Sequence, residues 1–408
     1  MTLYRVIARY QTFLNQPEVI PILVASVLSR LPIGMLSLSI LIYLKDLSGS
    51  LAFAGGQVGI YMVAMSVAAP VIGRVIDRFG AVWTLRLCGV IHPLSFWLML
   101  IPAVFTSIHF PLWVITACMI FAGAFCPPTV IVSRAAWRYR FDDLGLRQTA
   151  FSVDSVLTEL NFVVGPLIVA LSLTFFTSTL AFGLAAFAAT IAVPIFLCSP
   201  ACRYVRYDKT VKRHWLGPLT EPRFLWLLAI TFTFAITLGS LELAYPAFAT
   251  QYGASYWGGV LLTFCAIGSA IGGIVYGGVS FKSKHEYQLR FTLLILAVFV
   301  AAHILFNSPY LLMICATLAG VVVAPLMTVL TVLQSSYVSE RYTAEAFTWS
   351  STCVVSGIGA GMAIGGAIGE RFGVTAVFTL SALACVISLL LSLGLIWQAK
   401  RAHEVTHG

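Results

Sequence analysis

The chain has 408 residues, 60% of them apolar and 10% charged, with a mean hydropathy of +0.95. At about 20 residues per membrane span, this composition excludes an ordinary soluble domain and leaves little chain beyond short loops. The net charge of +9 does not indicate nucleic acid, because the basic residues sit at every second loop rather than in one patch.

In chain order, residues 1–17 carry Leu3, Val6, Tyr10 and Phe13 at helical spacing, with Arg5 and Arg9 between them, which predicts a short helix lying on the membrane lipid as an anchor. Apolar spans follow at 18–42, 52–73, 82–104, 112–133, 148–172 and 178–198. The first is too long for a signal-peptide core and is followed by no small-residue cleavage site, so it is expected to stay as a helix. Residues 199–222 form the longest polar stretch and read as a linker. Six further spans lie at 223–247, 255–278, 291–306, 310–333, 344–368 and 374–398, before a polar tail at 399–408. The expected fold is all-α, with twelve transmembrane helices in two six-helix bundles, 18–198 and 223–398.

Of the 24 basic residues, all but Arg30, Lys45 and Arg371 fall on one face of this topology. The positive-inside rule places that face, and both termini, in the cytoplasm, and the short bare outer loops suggest a bacterial inner membrane. Cysteines and histidines are scattered without metal-ligand or redox spacing, and no nucleotide-binding motif occurs. A resident metal or cofactor is not expected, nor is an enzyme. Trp137, Trp215, Trp226, Trp257 and Trp397 near span ends read as a headgroup belt.

The two halves repeat. AGAFCPP at 122–128 faces AGVVVAP at 319–325, TAFS at 149–152 faces EAFT at 345–348, and Gly55-Gly56 faces Gly258-Gly259. Duplicated bundles of this kind rock about a central site. The loop after the second span reads Gly73-Arg74-Val75-Ile76-Asp77-Arg78-Phe79-Gly80. It resembles the Gly-x-x-x-Asp-Arg-x-Gly loop of the major facilitator superfamily. The resemblance implies a secondary transporter in which Asp77, supported by Arg74 and Arg78, latches the cytoplasmic side by holding a helix end of the other half. Four departures stand out: Ala81 and Val82 replace a basic pair, residues 277–282 contain no acid, span four lacks a mid-helix arginine, and the glycine motif of span five is reduced to Gly165-Pro166.

Ionisable groups inside a span cost at least about 2.5–3.5 kcal/mol and so call for partners or water. Arg30 in span one and Glu159 in span five fall near the midplane, with Asp154 nearer the cytoplasmic end of span five. Asp154 shares a helix face with Thr158, Asn161 and Gly165, whereas Glu159 points about 140° away. Family architecture places spans one and five side by side, which makes Arg30 a partner for Glu159 or Asp154. Either carboxylate is then a candidate for proton coupling. Asn161 is expected to line the cavity and Glu242 to lie at its outer mouth. Pro32 is expected to loosen span one, and Pro127-Pro128 to break span four as a gate hinge. Gly357, Gly361, Gly365 and Gly369 give span eleven one smooth side for packing or sliding.

With no nucleotide domain, an ion gradient is the expected driver. The expectation is a monomeric, proton-coupled exporter of a drug-like compound or metabolite. Its rivals are proton-coupled uptake of a sugar, amino acid or siderophore, and a transporter-like sensor.

Overall fold

The computed structural model describes residues 11–104, 111–204, 218–278, 283–339 and 343–407. Within these, the side chains of Asp77, Arg147, Ser152, Ser155, Thr158 and Glu159, and those beyond residue 395, lie outside the described set, as do Arg5, Arg9 and most of the linker. The described residues form helices and no strand. In the first half these are α1 (Val19–Ser48), α2 (Leu51–Phe79), α3 (Ala81–Val104), α4 (Leu112–Ala124), α5 (Thr129–Arg140), α6 (Leu144–Phe175) and α7 (Ser178–Cys198). A one-turn helix, α8 (Ala201–Tyr204), opens the linker. The second half contains α9 (Pro222–Gln251), α10 (Tyr256–Gly278), α11 (His285–Ala302), α12 (Pro309–Ser336), α13 (Thr343–Phe372) and α14 (Val374–His407).

Taken together, α4 and α5 form one span, and eleven spans are long and apolar enough to cross a membrane by length and composition. The twelfth is α6, whose apolar stretch is only Leu160–Phe175 because its first half carries the acids. Its helix nevertheless runs through 32 residues, started by Asp143, whose carboxylate accepts the Leu146 N–H at 2.7 Å.

Prolines act differently by position. At Pro127-Pro128 the helix stops and restarts, because two missing N–H groups and the restricted residue before proline remove the hydrogen-bond ladder. The restart carries the span on to Arg140, so Arg134 is an intraspan residue. It lies in the inner part of that span, six residues from its end, and not at mid-helix. At Pro32, by contrast, α1 continues as one helix, and α6 likewise continues through Pro166.

Within the first bundle α1 and α6 cross in backbone contact at Gly34 and Gly165, where any Cβ would collide with main chain. Within the second, Gly239 of α9 meets Ile358 of α13, while Gly357 and Gly361 rest on Phe232 and Ile236 of α9. Gly365 faces Val377 and Leu243. Gly357, Gly361 and Gly365 therefore pack α13 inside its own bundle, while Gly369 meets both Val377 and Leu51 of α2. Small residues serve this way because association in lipid depends on close van der Waals packing.

The bundles meet chiefly along α2–α13 and α6–α10, with a lesser contact of α1 with α9. A second glycine set, absent from the stripe, forms the boundary: Gly55 lies against Met362 and Gly366, and Gly59 against Gly359 and Ala363. On the other side Gly259 meets Pro166 and Ala170, and the Thr263 hydroxyl donates to the Val163 carbonyl at 3.4 Å. These contacts lie toward the end whose loops hold few basic residues, called here the bare end. Toward the arginine-rich end, the Ser66 hydroxyl donates to the Thr352 carbonyl at 3.0 Å, and beside it the bundles enclose a cavity.

At the arginine-rich end residues 11–18 pack against the first bundle. Phe13 is fully buried against the rings of Trp137 and Phe141, with centroids 5.8 Å away from each. Phe13 and Trp137 thus pack on protein, not on lipid headgroups as expected. Arg140 donates to the Pro17 carbonyl at 3.3 Å. Glu18 takes the left-handed conformation, φ 67°, and accepts from Arg203 at 3.3 Å and from the Tyr204 hydroxyl. That hydrogen bond to the Glu18 carboxylate pushes the Tyr204 phenol above its ordinary range.

Candidate functional site

Arg30 lies 11 residues into α1 and Asp154 10 residues into α6, or about 16 and 15 Å along their axes. Because α6 begins four residues before the expected start of its span, Asp154 is deeper than the sequence suggests and stands level with Arg30. The two meet: Arg30 Nη2 is 2.6 Å from Asp154 Oδ1, and each side chain is only 1% exposed. Arg30 Nη1 also donates to the Asp154 carbonyl at 3.2 Å. Of the two acids left open as partners, the described pair is Asp154. The Glu159 side chain lies outside the described set.

The pair is part of a larger cluster. Arg134 Nε reaches Asp154 Oδ2 at 3.2 Å with its own side chain 51% exposed. The Ser133 hydroxyl donates to Asp154 Oδ1 at 3.2 Å and pairs with the Ser26 hydroxyl at 2.9 Å. One buried carboxylate is thus shared by a guanidinium that is locked in and another that stands at an open edge. The second sits on α5, the half-helix separated from α4 by the proline break. Hydrogen bonds to both carboxylate oxygens are what allow a charge to lie this deep in a span.

The other polar candidates are placed differently. Asn161 is buried at the Gly34–Gly165 crossing, and its amide donates to Leu157 O of its own helix at 2.9 Å. It is not among the residues that line the inter-bundle cavity, because α1 stands in contact with α6 at that point. Glu242 lies near the bare end of α9 and accepts a hydrogen bond from Ser37 of α1, so it ties one bundle to the other. Gly73, Arg74 and Arg78 lie in the last two turns of α2 and Gly80 ends the helix with φ 88°, while the Asp77 side chain is outside the described set.

The inter-bundle cavity has a volume of about 260 Å³. Ser66, Val67, Pro70 and Arg74 of α2 form one wall, and Glu345, Thr348, Trp349 and Thr352 of α13 form the other. Both sets recur at three- and four-residue intervals, so each helix offers one face. Among the described residues no cluster of three or more metal-ligating side chains occurs.

Two bundles of six spans, joined by one linker and closed on each other at one end, form the architecture expected from the internal repeat. The sequence matches the Major Facilitator Superfamily profile over residues 22–310 and 289–408. The chain belongs to the Major Facilitator Superfamily. Solved structures of that architecture agree. A mutant of the nucleoside transporter NupG is similar at a TM-score of 0.74 and 14% identity, over 92% of this chain and 99% of that one. The human organic anion transporter MFSD10 (TETRAN) is similar at a TM-score of 0.63 and 17% identity, over 93% and 100%. Among curated protein sequences none matches significantly.

Sequence reasoning missed Arg134, the inter-bundle glycines and the cavity wall on α2. Arg134 was readable had the proline pair been taken as an interruption rather than near the end of the span. Gly55, Gly59, Gly359 and Gly366 were visible as small residues at four- and seven-residue spacing, but nothing in the sequence pairs α2 with α13.

Proposed function

We propose that this protein is a proton-coupled exporter of a small molecule working by alternating access, with Asp154 as the coupling acid. The observation that carries the reading is the unequal sharing of Asp154 between buried Arg30 and half-exposed Arg134. Because α5 is hinged at Pro127-Pro128, rotation of that half-helix separates Arg134 from Asp154. The carboxylate then keeps one guanidinium, and in this cycle that is the state that receives the proton. Return of Arg134 expels the proton, which ties proton release to the position of α5. Glu159 is the second candidate acid on α6, and Glu242 serves the outer mouth, where its bond to Ser37 must break when the bundles part there.

By the positive-inside rule the arginine-rich end, with both termini, is cytoplasmic, so the cavity opens on the side from which an exporter loads. At about 260 Å³ it is slightly smaller than the pockets that hold drug-sized ligands. We therefore assign it to a metabolite-sized solute with a flat apolar body that lies on Trp349 and hydroxyl or ionic groups that meet Ser66, Thr348, Thr352, Arg74 and Glu345. Uptake is the second reading, favoured by the likeness to a nucleoside transporter and by the pairing of one aromatic wall with three hydroxyls.

The test is lumenal pH in inside-out vesicles, recorded while a panel of metabolites, drugs, sugars and nucleosides is added. Solute-evoked loss of lumenal protons in wild type, absent in Asp154→Asn, supports coupled export. Solute-evoked proton movement that persists in Asp154→Asn refutes the coupling role, and solute movement down the proton gradient favours uptake.

A further inference from the structure

The motif that closes α2, Gly73-Arg74-Val75-Ile76-Asp77-Arg78-Phe79-Gly80, has a second copy at Gly366-Ala367-Ile368-Gly369-Glu370-Arg371-Phe372-Gly373. In both, an acid follows the first glycine by four residues and is followed by Arg-Phe-Gly. In both, the helix ends on the phenylalanine, Phe79 for α2 and Phe372 for α13. The closing glycines share a left-handed φ, 88° at Gly80 and 81° at Gly373.

The helices that carry the two copies are partners across the bundle boundary. Gly55 faces Gly366, Gly59 faces Gly359 and Ser66 faces Thr352, so α2 and α13 run antiparallel. The C-terminal end of each therefore lies beside the N-terminal end of the other, where unpaired N–H groups and the helix dipole favour an anion. The second copy is engaged in this way. Glu370 Oε2 accepts from the Ser50 hydroxyl and from the Ala52 N–H, each at 2.6 Å. Ser50 is the N-cap of α2, its hydroxyl accepting the Phe53 N–H at 3.0 Å. An acid of the second bundle thus caps a helix of the first, directly above the contact of Gly366 with the Leu51 carbonyl.

We propose that Glu370 is the latch that holds the bare end closed, and that it alternates with Asp77, the matching acid at the opposite end of the same helix pair. When the bundles rock, Glu370 leaves the start of α2 and Asp77 reaches the start of α13. The proposal rests on the alternating-access reading given above, and it makes Glu370 a positioning residue that touches no solute.

The test uses the full chain in lipid nanodiscs, with spin labels on non-canonical residues so that the native cysteines stay. Exposed positions 47 and 252 report the bare end, and 139 and 287 the arginine-rich end. Glu370→Ala is expected to lengthen the 47–252 distance distribution, raising the open population there by roughly two- to fivefold. Asp77→Asn is expected to shift both pairs the other way, and the double variant to return toward wild type. Glu370→Gln and Ser50→Ala, which keep more of the local shape, are expected to give smaller shifts of the same sign as Glu370→Ala. A wild type that samples both states while the Glu370 variants leave 47–252 unmoved overturns the latch alone. A single population at both ends, unmoved by any variant, overturns the alternating reading with it. Shifts of the same sign from Glu370→Ala and Asp77→Asn also overturn the latch, since general destabilisation has no opposite-signed counterpart.

Discussion

Replacing Asp154 and Arg134 in turn separates the structural share of the Asp154 cluster from its functional share. Asp154→Asn leaves Arg30, whose side chain is 1% exposed, facing a neutral amide. Removing one partner of a buried pair costs about 3–5 kcal/mol, because the remaining charge cannot reach water. Arg134→Gln leaves Asp154 bound to Arg30 and Ser133 and removes a side chain that is 51% exposed. Pairs of that exposure contribute about 0–1 kcal/mol. The two variants should therefore differ in stability by at least about 2 kcal/mol, yet both should lose coupled flux, since Arg134 is the partner that moves. Thermal unfolding of purified protein in detergent reads the first quantity and vesicle pH the second. Equal destabilisation would show that Arg134 is as locked as Arg30. PH-driven flux that survives in Arg134→Gln would refute the exchange itself.

Other consequences follow from the packing. Gly34→Ala drives a methyl into the Asn161 carbonyl and should cost about 1–3 kcal/mol, whereas Gly183→Ala, whose methyl would meet only Leu100 at 4.0 Å, should unfold like wild type. Phe13→Ala empties the site between Trp137 and Phe141 and should lower stability by up to about 3–5 kcal/mol, with Phe13→Leu recovering much of the loss. Equal stability of the two Phe13 variants and wild type would place that segment off the bundle. Trp349→Ala should raise the half-saturating concentration of the transported solute by roughly two- to tenfold, the usual weight of one ring contact. An unchanged value would move the solute away from the α2–α13 cavity.

The charge cluster shows how far local reasoning reaches. Arg30 and an acid on span five were legible as partners because a charge in lipid needs a counter-charge. That Asp154 is such a partner depends on how α6 stands against α1, which the backbone contact at Gly34 and Gly165 sets and no single span reports. Arg134 was hidden for a related reason: hydropathy marks where a span leaves the apolar core, not where its helix stops. The same limit explains Glu370, whose motif could be read in the sequence but whose partner at Ser50 and Ala52 could not.

Composition, the spacing of apolar runs and the one-sided arginines determined by themselves that this chain is a membrane protein of two repeated six-span halves. Those properties are carried by each segment alone, since every span must satisfy its own backbone in lipid. Tertiary structure decided which glycines meet, which end of the molecule is closed, and that Arg30 and Asp154 stand side by side. Each of these depends on contacts between residues far apart in the chain, and periodicity along one helix reports which face is small or polar without saying what stands opposite.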